Sequence, residues 1–365
     1  MKYLFILGRN PPLLIEEINS YFRKAGNKII SSKQNKNSLL VECEKKIEKG
    51  TVDVLGGTIA IGEVLCGVNE RELEKINIYN GVKNNITYVV WKFINDEKGD
   101  YISAYLKKRF RNESLKAAEK NLNGSLELQD GTNVRIASGL IDEEYFVFDD
   151  YFGKIIERCN YKEIEQRDMG KPERREALSI SPRLAKIMIN LSEVKKGERL
   201  LDPFCGIGII LMEALIQGIN VIGIDNDKKA IQGALKNLAW GNFLKDRYKI
   251  ICGDSRGINI NKSSVIVTEP DFGQIMRETP SKEKAINMIK GYENLIIAVL
   301  KNLKDSISGR IVFTAPLIKT RDKIIFCNVQ RVLQETKLKL AKGFPIQEYR
   351  QSQIVGREIC VLEKR

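Results

Sequence analysis

Glu198-Arg199-Leu200-Leu201-Asp202-Pro203-Phe204-Cys205-Gly206-Ile207-Gly208-Ile209-Ile210-Leu211-Met212-Glu213-Ala214-Leu215 is the stretch on which the fold turns. Its first five residues read as a short strand, and the apolar run from Ile209 reads as a helix. Between them, Gly206 and Gly208 let the backbone approach a ligand where a Cβ would collide. A lone Gly-x-Gly is a weak signal. A dinucleotide-binding turn of the GxGxxG type would place a third glycine at position 211, which is Leu.

The flanking pattern is more decisive. From position 179 onward, candidate strands at 199–201, 220–224, 249–252, 265–268 and 310–314 alternate with helices near 181–192, 207–217, 227–239 and 283–304. Alternation of this kind predicts an α/β domain with a mostly parallel sheet covered by helices on both faces. The strand Val221-Ile222-Gly223-Ile224 ends in Asp225, at the distance past the glycines where a carboxylate accepts both hydroxyls of an adenosine ribose. The strand Ile250-Ile251-Cys252 runs into Gly253-Asp254-Ser255, where an acid could meet an adenine amino group. Helix capping explains one such aspartate easily. Three at successive strand ends, beside glycines, point to one nucleoside-binding edge.

Here the residues resemble a family. Asp202-Pro203-Phe204-Cys205-Gly206-Ile207-Gly208 is similar to the first motif of nucleic-acid amino-methyltransferases, and Ser179-Ile180-Ser181-Pro182-Arg183-Leu184-Ala185 resembles the helix opening beside the cofactor's methionine end. The resemblance implies a Rossmann-like class I methyltransferase domain with S-adenosylmethionine as cofactor. It also implies Ser181, Pro182, Asp202, Phe204, Cys205, Gly206, Gly208, Asp225, Asn226, Asp254 and Ser255 as cofactor-binding residues.

After the fourth candidate strand comes Glu269-Pro270-Asp271-Phe272-Gly273, where these enzymes carry Asp/Asn-Pro-Pro-Tyr/Phe. An exocyclic amine is a poor nucleophile because its lone pair is delocalised into the ring. A carboxylate or amide and the following Pro carbonyl accept its two N–H bonds, which draws density onto nitrogen and aims the lone pair. The aromatic residue stacks on a base taken out of its helix. Glu269, Pro270, Asp271 and Phe272 are therefore the expected catalytic residues. The sequence departs from the pattern twice: Glu269 reaches one methylene further than Asp, and Asp271 replaces the second proline and adds a negative charge.

Composition narrows the substrate. The 365 residues carry 60 Lys and Arg against 47 Asp and Glu, a formal net charge of +13, which suggests a polyanionic partner. There is no histidine, so histidine bases and ligands, and the Ser-His, Cys-His and zinc-hydrolase chemistry built on them, are excluded. The seven cysteines form no CxxC pair and supply neither a disulfide framework nor a metal site. No apolar run approaches the roughly 18 residues needed to cross a bilayer, and a cytoplasmic protein is expected.

The N-terminal half reads as two small α+β units, residues 1–65 and 66–155, with a strand at 3–7, a helix at 12–24, a strand at 85–95 and a helical stretch at 101–122. They resemble a ferredoxin-like unit and a THUMP-like RNA-binding domain, with Leu7-Gly8-Arg9-Asn10-Pro11 and Leu55-Gly56-Gly57-Thr58-Ile59 as family turns. Residues 156–178 read as a charged linker, and Arg167-Asp168-Met169-Gly170-Lys171-Pro172-Glu173-Arg174-Arg175 resembles the segment joining THUMP to the catalytic domain, residues 179–365. Tyr349 to Ile359 resembles the closing strands of the archaeal and eukaryotic tRNA guanosine-10 N2-methyltransferases. That resemblance implies methylation of the exocyclic N2 of a guanosine in tRNA, with a small zinc-binding activator protein as a further partner. The alternatives are a ribosomal-RNA or DNA amino-methyltransferase, or a weakened RNA-binding homologue. Lys107, Lys108, Arg109, Arg111, Arg174 and Arg175 are the expected RNA contacts, positioning phosphates rather than reading bases.

Overall fold

The computed structural model describes residues 1–94, 96–120, 125–127, 133–135, 141–175, 180–271, 276, 278–349 and 353–365. The chain divides into two compact units. One comprises 1–15, 26–53 and 57–159, and the other comprises 16–25, 54–56 and 160–365.

The first unit is built on strands β1 (Lys2–Leu7), β2 (Ile29–Asn35), β3 (Ser38–Cys43), β4 (Thr58–Gly67), β5 (Asn85–Phe93), β6 (Lys116–Glu119), β9 (Glu143–Phe148) and β10 (Tyr151–Arg158), with β7 (Ser125–Glu127) and β8 (Asn133–Arg135) paired separately as a hairpin. Its helices are α1 (Pro11–Lys24), whose second half belongs to the other unit, the single turns α2 (Thr51–Val54) and α3 (Glu70–Leu73), and α4 (Asp96–Asn112). The eight strands form one sheet in the order β2-β3-β1-β4-β10-β9-β5-β6. The strands expected in 1–65 and in 66–155 are thus continuous, because β4 pairs antiparallel with β10. Alternation along β5 sends Val89, Trp91 and Phe93 to one apolar cluster and Tyr88 and Val90 to another on the opposite face. Ile102, Leu106 and Phe110 of α4, spaced four apart, cover that second face.

Two expectations are corrected here. The helix read over 101–122 stops at Asn112, since Ser114 adopts a left-handed φ of 59° and the chain re-enters the sheet edge as β6, parallel to β5. The stretch read as a linker is partly regular: β10 extends to Arg158, and α5 (Tyr161–Gly170) follows, capped by the Asn160 side chain.

The second unit has strands β11 (Arg199–Asp202), β12 (Asn220–Asp225), β13 (Tyr248–Cys252), β14 (Val265–Thr268), β15 (Ile311–Lys319), β16 (Ile324–Phe326), β17 (Lys339–Leu340), β18 (Ile346–Glu348) and β19 (Val355–Glu363). Besides α5, the helices are α6 (Pro182–Leu191), α7 (Ile209–Ile216), α8 (Lys228–Trp240), α9 (Lys282–Leu303) and α10 (Val329–Thr336). The main sheet runs β13-β12-β11-β14-β15-β19-β17, parallel through its first five strands, with β19 antiparallel to β15. It departs from the dinucleotide-binding order by that inserted antiparallel strand. α9 and α10 share one apolar cluster with the sheet, including Ile266, Phe313, Ile296 and Val332. α6, α7 and α8 contact β11, β12, β13 and β15 outside that cluster. The order reverses on either side of β11, so its C-terminal end and those of β12 and β14 open the crevice where open α/β sheets hold ligands.

Candidate active site

Glycines shape the turn out of β11. Gly206 and Gly208 take positive φ values of 52° and 86°, and a Cβ on Gly206 would project into open space. Asp202, at the end of β11, is buried; it accepts hydrogen bonds from the Thr268 hydroxyl at 2.6 Å and the Phe204 amide at 3.1 Å. It ties β11 to β14, and burial pushes its carboxyl up to about 7 despite those donors. Asp225, at the end of β12, accepts from the amides of Gly206 and Asp227, both at 2.9 Å, and so fixes the glycine loop and the entry to α8.

The flanking groups are engaged among themselves. Asp227 caps α8 through the Lys229 amide and binds Arg175 at 2.6 Å. The Arg175 guanidinium holds its carboxyl below the usual range. Asp254 is exposed and gripped by Arg256, which holds it at about 2. Ser255 donates to the Pro203 carbonyl at 2.7 Å, tying the turn after β13 to the glycine loop. Cys205 is buried against Gly223, and burial pushes its thiol up.

Glu269 follows β14 directly. Its side chain is 9% exposed and is joined through Oε1 to Nε of Arg357 on β19. Burial raises its carboxyl and Asp271 adds to that, while Arg357 opposes both. Pro270 is buried and Asp271 exposed; Phe272 lies outside the described residues.

A cavity of about 650 Å³ joins these strand ends, a volume suited to a nucleoside-sized ligand. Asp202, Phe204, Cys205, Gly206, Asp225 and Asn226 line it, as do Asp254, Ser255, Glu269, Pro270 and Asp271. Gly208, Ser181 and Pro182 do not. Ser181 caps α6 through the Leu184 amide, Pro182 is its first residue, and Ile180 is the cavity neighbour there. Arg357, Arg256, Asp227 and Met276 also line the cavity without having been singled out from the sequence. Arg175, one of the expected RNA contacts, stands on the cavity wall, paired with Asp227. Arg174 is exposed. In the first unit, Lys107, Lys108 and Arg111 are exposed on α4, whereas Arg109 binds Glu113 one turn on at 2.5 Å.

The parallel sheet with antiparallel β19 inserted beside β15 and the cavity over β11, β12 and β14 define the class: a Rossmann-like α/β methyltransferase fold. A family model described as an RMKL-like methyltransferase domain matches residues 172–313. A second, the N6/N4 methyltransferase model described as DNA methylase, matches residues 18–236, more than half of the chain. The chain belongs to that family.

It is also a relative of the tRNA (guanine(10)-N2)-dimethyltransferases. It is 36% identical to the one from Methanothermobacter thermautotrophicus over 139 residues, 38% of this chain and 39% of that protein. It is 26% identical to the one from Pyrococcus abyssi over 208 residues, 55% of this chain and 59% of that protein. The matches therefore span about two fifths to three fifths of these relatives' lengths. The crystal structure of TrmN from Thermus thermophilus superposes over all of both chains with a TM-score of 0.50 at 14% identity, a likeness of fold.

Proposed function

We propose that this protein is a cytoplasmic enzyme that transfers methyl groups from S-adenosylmethionine to the exocyclic N2 of a guanosine in tRNA, at nucleoside 10. The observation that carries the reading is Glu269-Pro270 at the end of β14, on the wall of the same cavity as Asp202 and Asp225. The relatedness to tRNA (guanine(10)-N2)-dimethyltransferases supports the substrate. The eight-stranded first unit is read as a ferredoxin-like plus THUMP-like RNA-binding module, with exposed Lys107, Lys108 and Arg111 meeting phosphates.

The residues present fit the cofactor. The Gly206 turn leaves its Cβ position open, and the Asp225 carboxylate, with one lone pair on each oxygen taken by an amide, keeps others for ribose hydroxyls. Asp254 stands where the adenine amine is expected, and the loop from Asp202 to Gly206 forms the floor. S-adenosylmethionine, when bound, supplies a methyl group on a sulfonium, an electrophile that needs no metal.

The chain's own residues prepare the nucleophile. Glu269 accepts one N–H of the guanine amine through its carboxylate, and the Pro270 carbonyl accepts the other. Together they hold the nitrogen lone pair in line and exclude water from it. The proton released as the amine is alkylated passes to Glu269, whose carboxyl burial has made more basic than usual. Phe272 is the expected stacking residue for the extruded base.

The test is incubation of the purified chain with tritiated S-adenosylmethionine and unmodified tRNA, ribosomal RNA or duplex DNA, followed by nucleoside mapping. Labelled N2-methyl- or N2,N2-dimethylguanosine at tRNA position 10 is expected. Label confined to ribosomal RNA or DNA would overturn the substrate, and absence of label everywhere would overturn the enzyme. Turnover by the chain alone would show that a small zinc-binding activator is dispensable.

A further inference from the structure

Glu269 stands where Asp or Asn was expected, and its extra methylene carries the carboxylate to a side chain 88 residues away in sequence. Arg357 sits in the middle of the antiparallel part of the sheet, its backbone registered with Pro316 of β15 on one side and Glu348 of β18 on the other. A guanidinium held on a strand paired along both edges is fixed in place, and its 29% exposed side chain lines the cavity beside its partner. Only Oε1 of Glu269 is bonded to it; among the described residues Oε2 has no hydrogen-bond partner.

We infer that Arg357 is a positioning residue for Glu269: it turns the carboxylate so that Oε2 faces the substrate amine, and it holds the carboxylate as an acceptor. This rests on the transferase reading of the site. The surroundings explain why a cation is needed. Asp271 in the same loop is a like charge, Asp202 on β11 is a carboxyl that burial raises to about 7, and Tyr292 on α9 is a buried neutral hydroxyl that donates to the Thr314 carbonyl at 2.5 Å. Arg357 is the one cationic side chain bonded to Glu269 among the described residues. A protonated Glu269 keeps only a neutral carbonyl oxygen as a good acceptor and can turn its O–H donor toward the amine N–H, so the amine's acceptor is weakened. Removing the guanidinium leaves burial and the neighbouring acids unopposed, and Glu269 then stays protonated to higher pH.

The experiment compares the wild-type protein with Arg357→Gln, Arg357→Lys and Glu269→Gln. Calorimetry measures affinities for S-adenosylmethionine and for its neutral product S-adenosylhomocysteine from pH 5 to 9. A carboxylate on the cavity wall favours the sulfonium, so the preference rises as Glu269 ionises; the part of that rise missing in Glu269→Gln belongs to Glu269. In Arg357→Gln its midpoint is expected at least about one pH unit higher, a tenfold change in proton affinity, with Arg357→Lys between. S-adenosylhomocysteine affinity should remain within about threefold, reporting an intact fold. In tRNA turnover, kcat of Arg357→Gln should fall about ten- to a hundredfold at pH 7, its acid limb moving up in step, with KM for tRNA little changed. An unmoved midpoint, a parallel loss of product affinity, or a kcat that rises on removal of Arg357 overturns the proposal. If the wild type methylates no tRNA, the substrate reading fails, while the calorimetric arm still decides the role of Arg357.

Discussion

Asp225→Ala is the sharpest test of the cofactor assignment. Each Asp225 oxygen spends one lone pair on an amide 2.9 Å away, Gly206 on one side and Asp227 on the other, which leaves one on each for a ribose hydroxyl. A hydrogen bond to a charged group contributes about 1.5–3 kcal/mol, and two that share one carboxylate do not add fully. A loss of about 2–4 kcal/mol follows, or roughly 30- to 1,000-fold in affinity at 1.4 kcal/mol per decade. Asp225→Asn keeps one acceptor oxygen and should fall between. S-adenosylmethionine and S-adenosylhomocysteine should both weaken, because both carry the ribose, with at most a small extra loss for the sulfonium from the missing charge. Calorimetric titration with both, alongside a thermal melt, makes the measurement. Weakening of less than about threefold in a folded Asp225→Ala protein would refute the reasoning, and weakening confined to the sulfonium would show that the carboxylate acts through charge alone.

Asp202 adds a pH dependence. With its carboxyl raised from 3.8 to about 7, the native state holds a proton that the unfolded chain has lost, so this group costs the unliganded protein stability as pH rises from about 4 to about 7. Asp202→Asn should flatten that part of a melting-temperature profile, and an unchanged profile would count against the shift. Maleimide should label exposed Cys252 first in the native protein, and Cys205 and the other buried thiols only on unfolding; mass spectrometry showing early label on Cys205 would contradict its burial. Replacing Lys107, Lys108 and Arg111 together with Gln should weaken tRNA binding and flatten the plot of log Kd against log salt by up to about three contacts, with cofactor affinity unchanged. An unaltered salt slope would remove α4 from the RNA surface.

The second unit was largely legible because its central parallel strands are apolar on both faces and most of its helices begin at side-chain caps. Val265–Thr268 is continuously buried, and Ser181, Asp227 and Ser281 each cap the helix that follows. The first unit hid its edges. β2, Ile-Ile-Ser-Ser-Lys-Gln-Asn, and the short β6, Lys-Ala-Ala-Glu, are mostly exposed and largely polar, so they lack the alternation that marks a half-buried strand. The same difference divides the candidate site. Asp202, Asp225 and Asp254 stand at strand ends where local pattern places them. The contacts that complete the cavity, Arg357 with Glu269 and Arg175 with Asp227, join residues 88 and 52 apart and leave no local periodic trace. Ser181 and Pro182, read from the sequence as a helix opening, are the N-cap and first residue of α6.

The distribution of charge explains how such a site could meet both of its substrates. The chain carries a net +13, yet the cavity wall holds Asp202, Asp225, Asp227, Asp254, Glu269 and Asp271 against three arginines. Each of those arginines is committed to one of the acids: Arg175 to Asp227, Arg256 to Asp254, and Arg357 to Glu269. The wall is therefore net acidic. Such a cavity attracts a sulfonium and repels phosphate, and the neutral thioether left after transfer loses that attraction, which favours product release. If the substrate is the proposed tRNA, its backbone is not drawn in by the site itself. On the proposed reading the base enters without its phosphates, extruded from its helix, while the binding energy for the polyanion comes from basic residues elsewhere on the chain. An acidic site in a basic protein thus favours a nucleobase presented alone over one still embedded in its strand, before any hydrogen bond to the base is made.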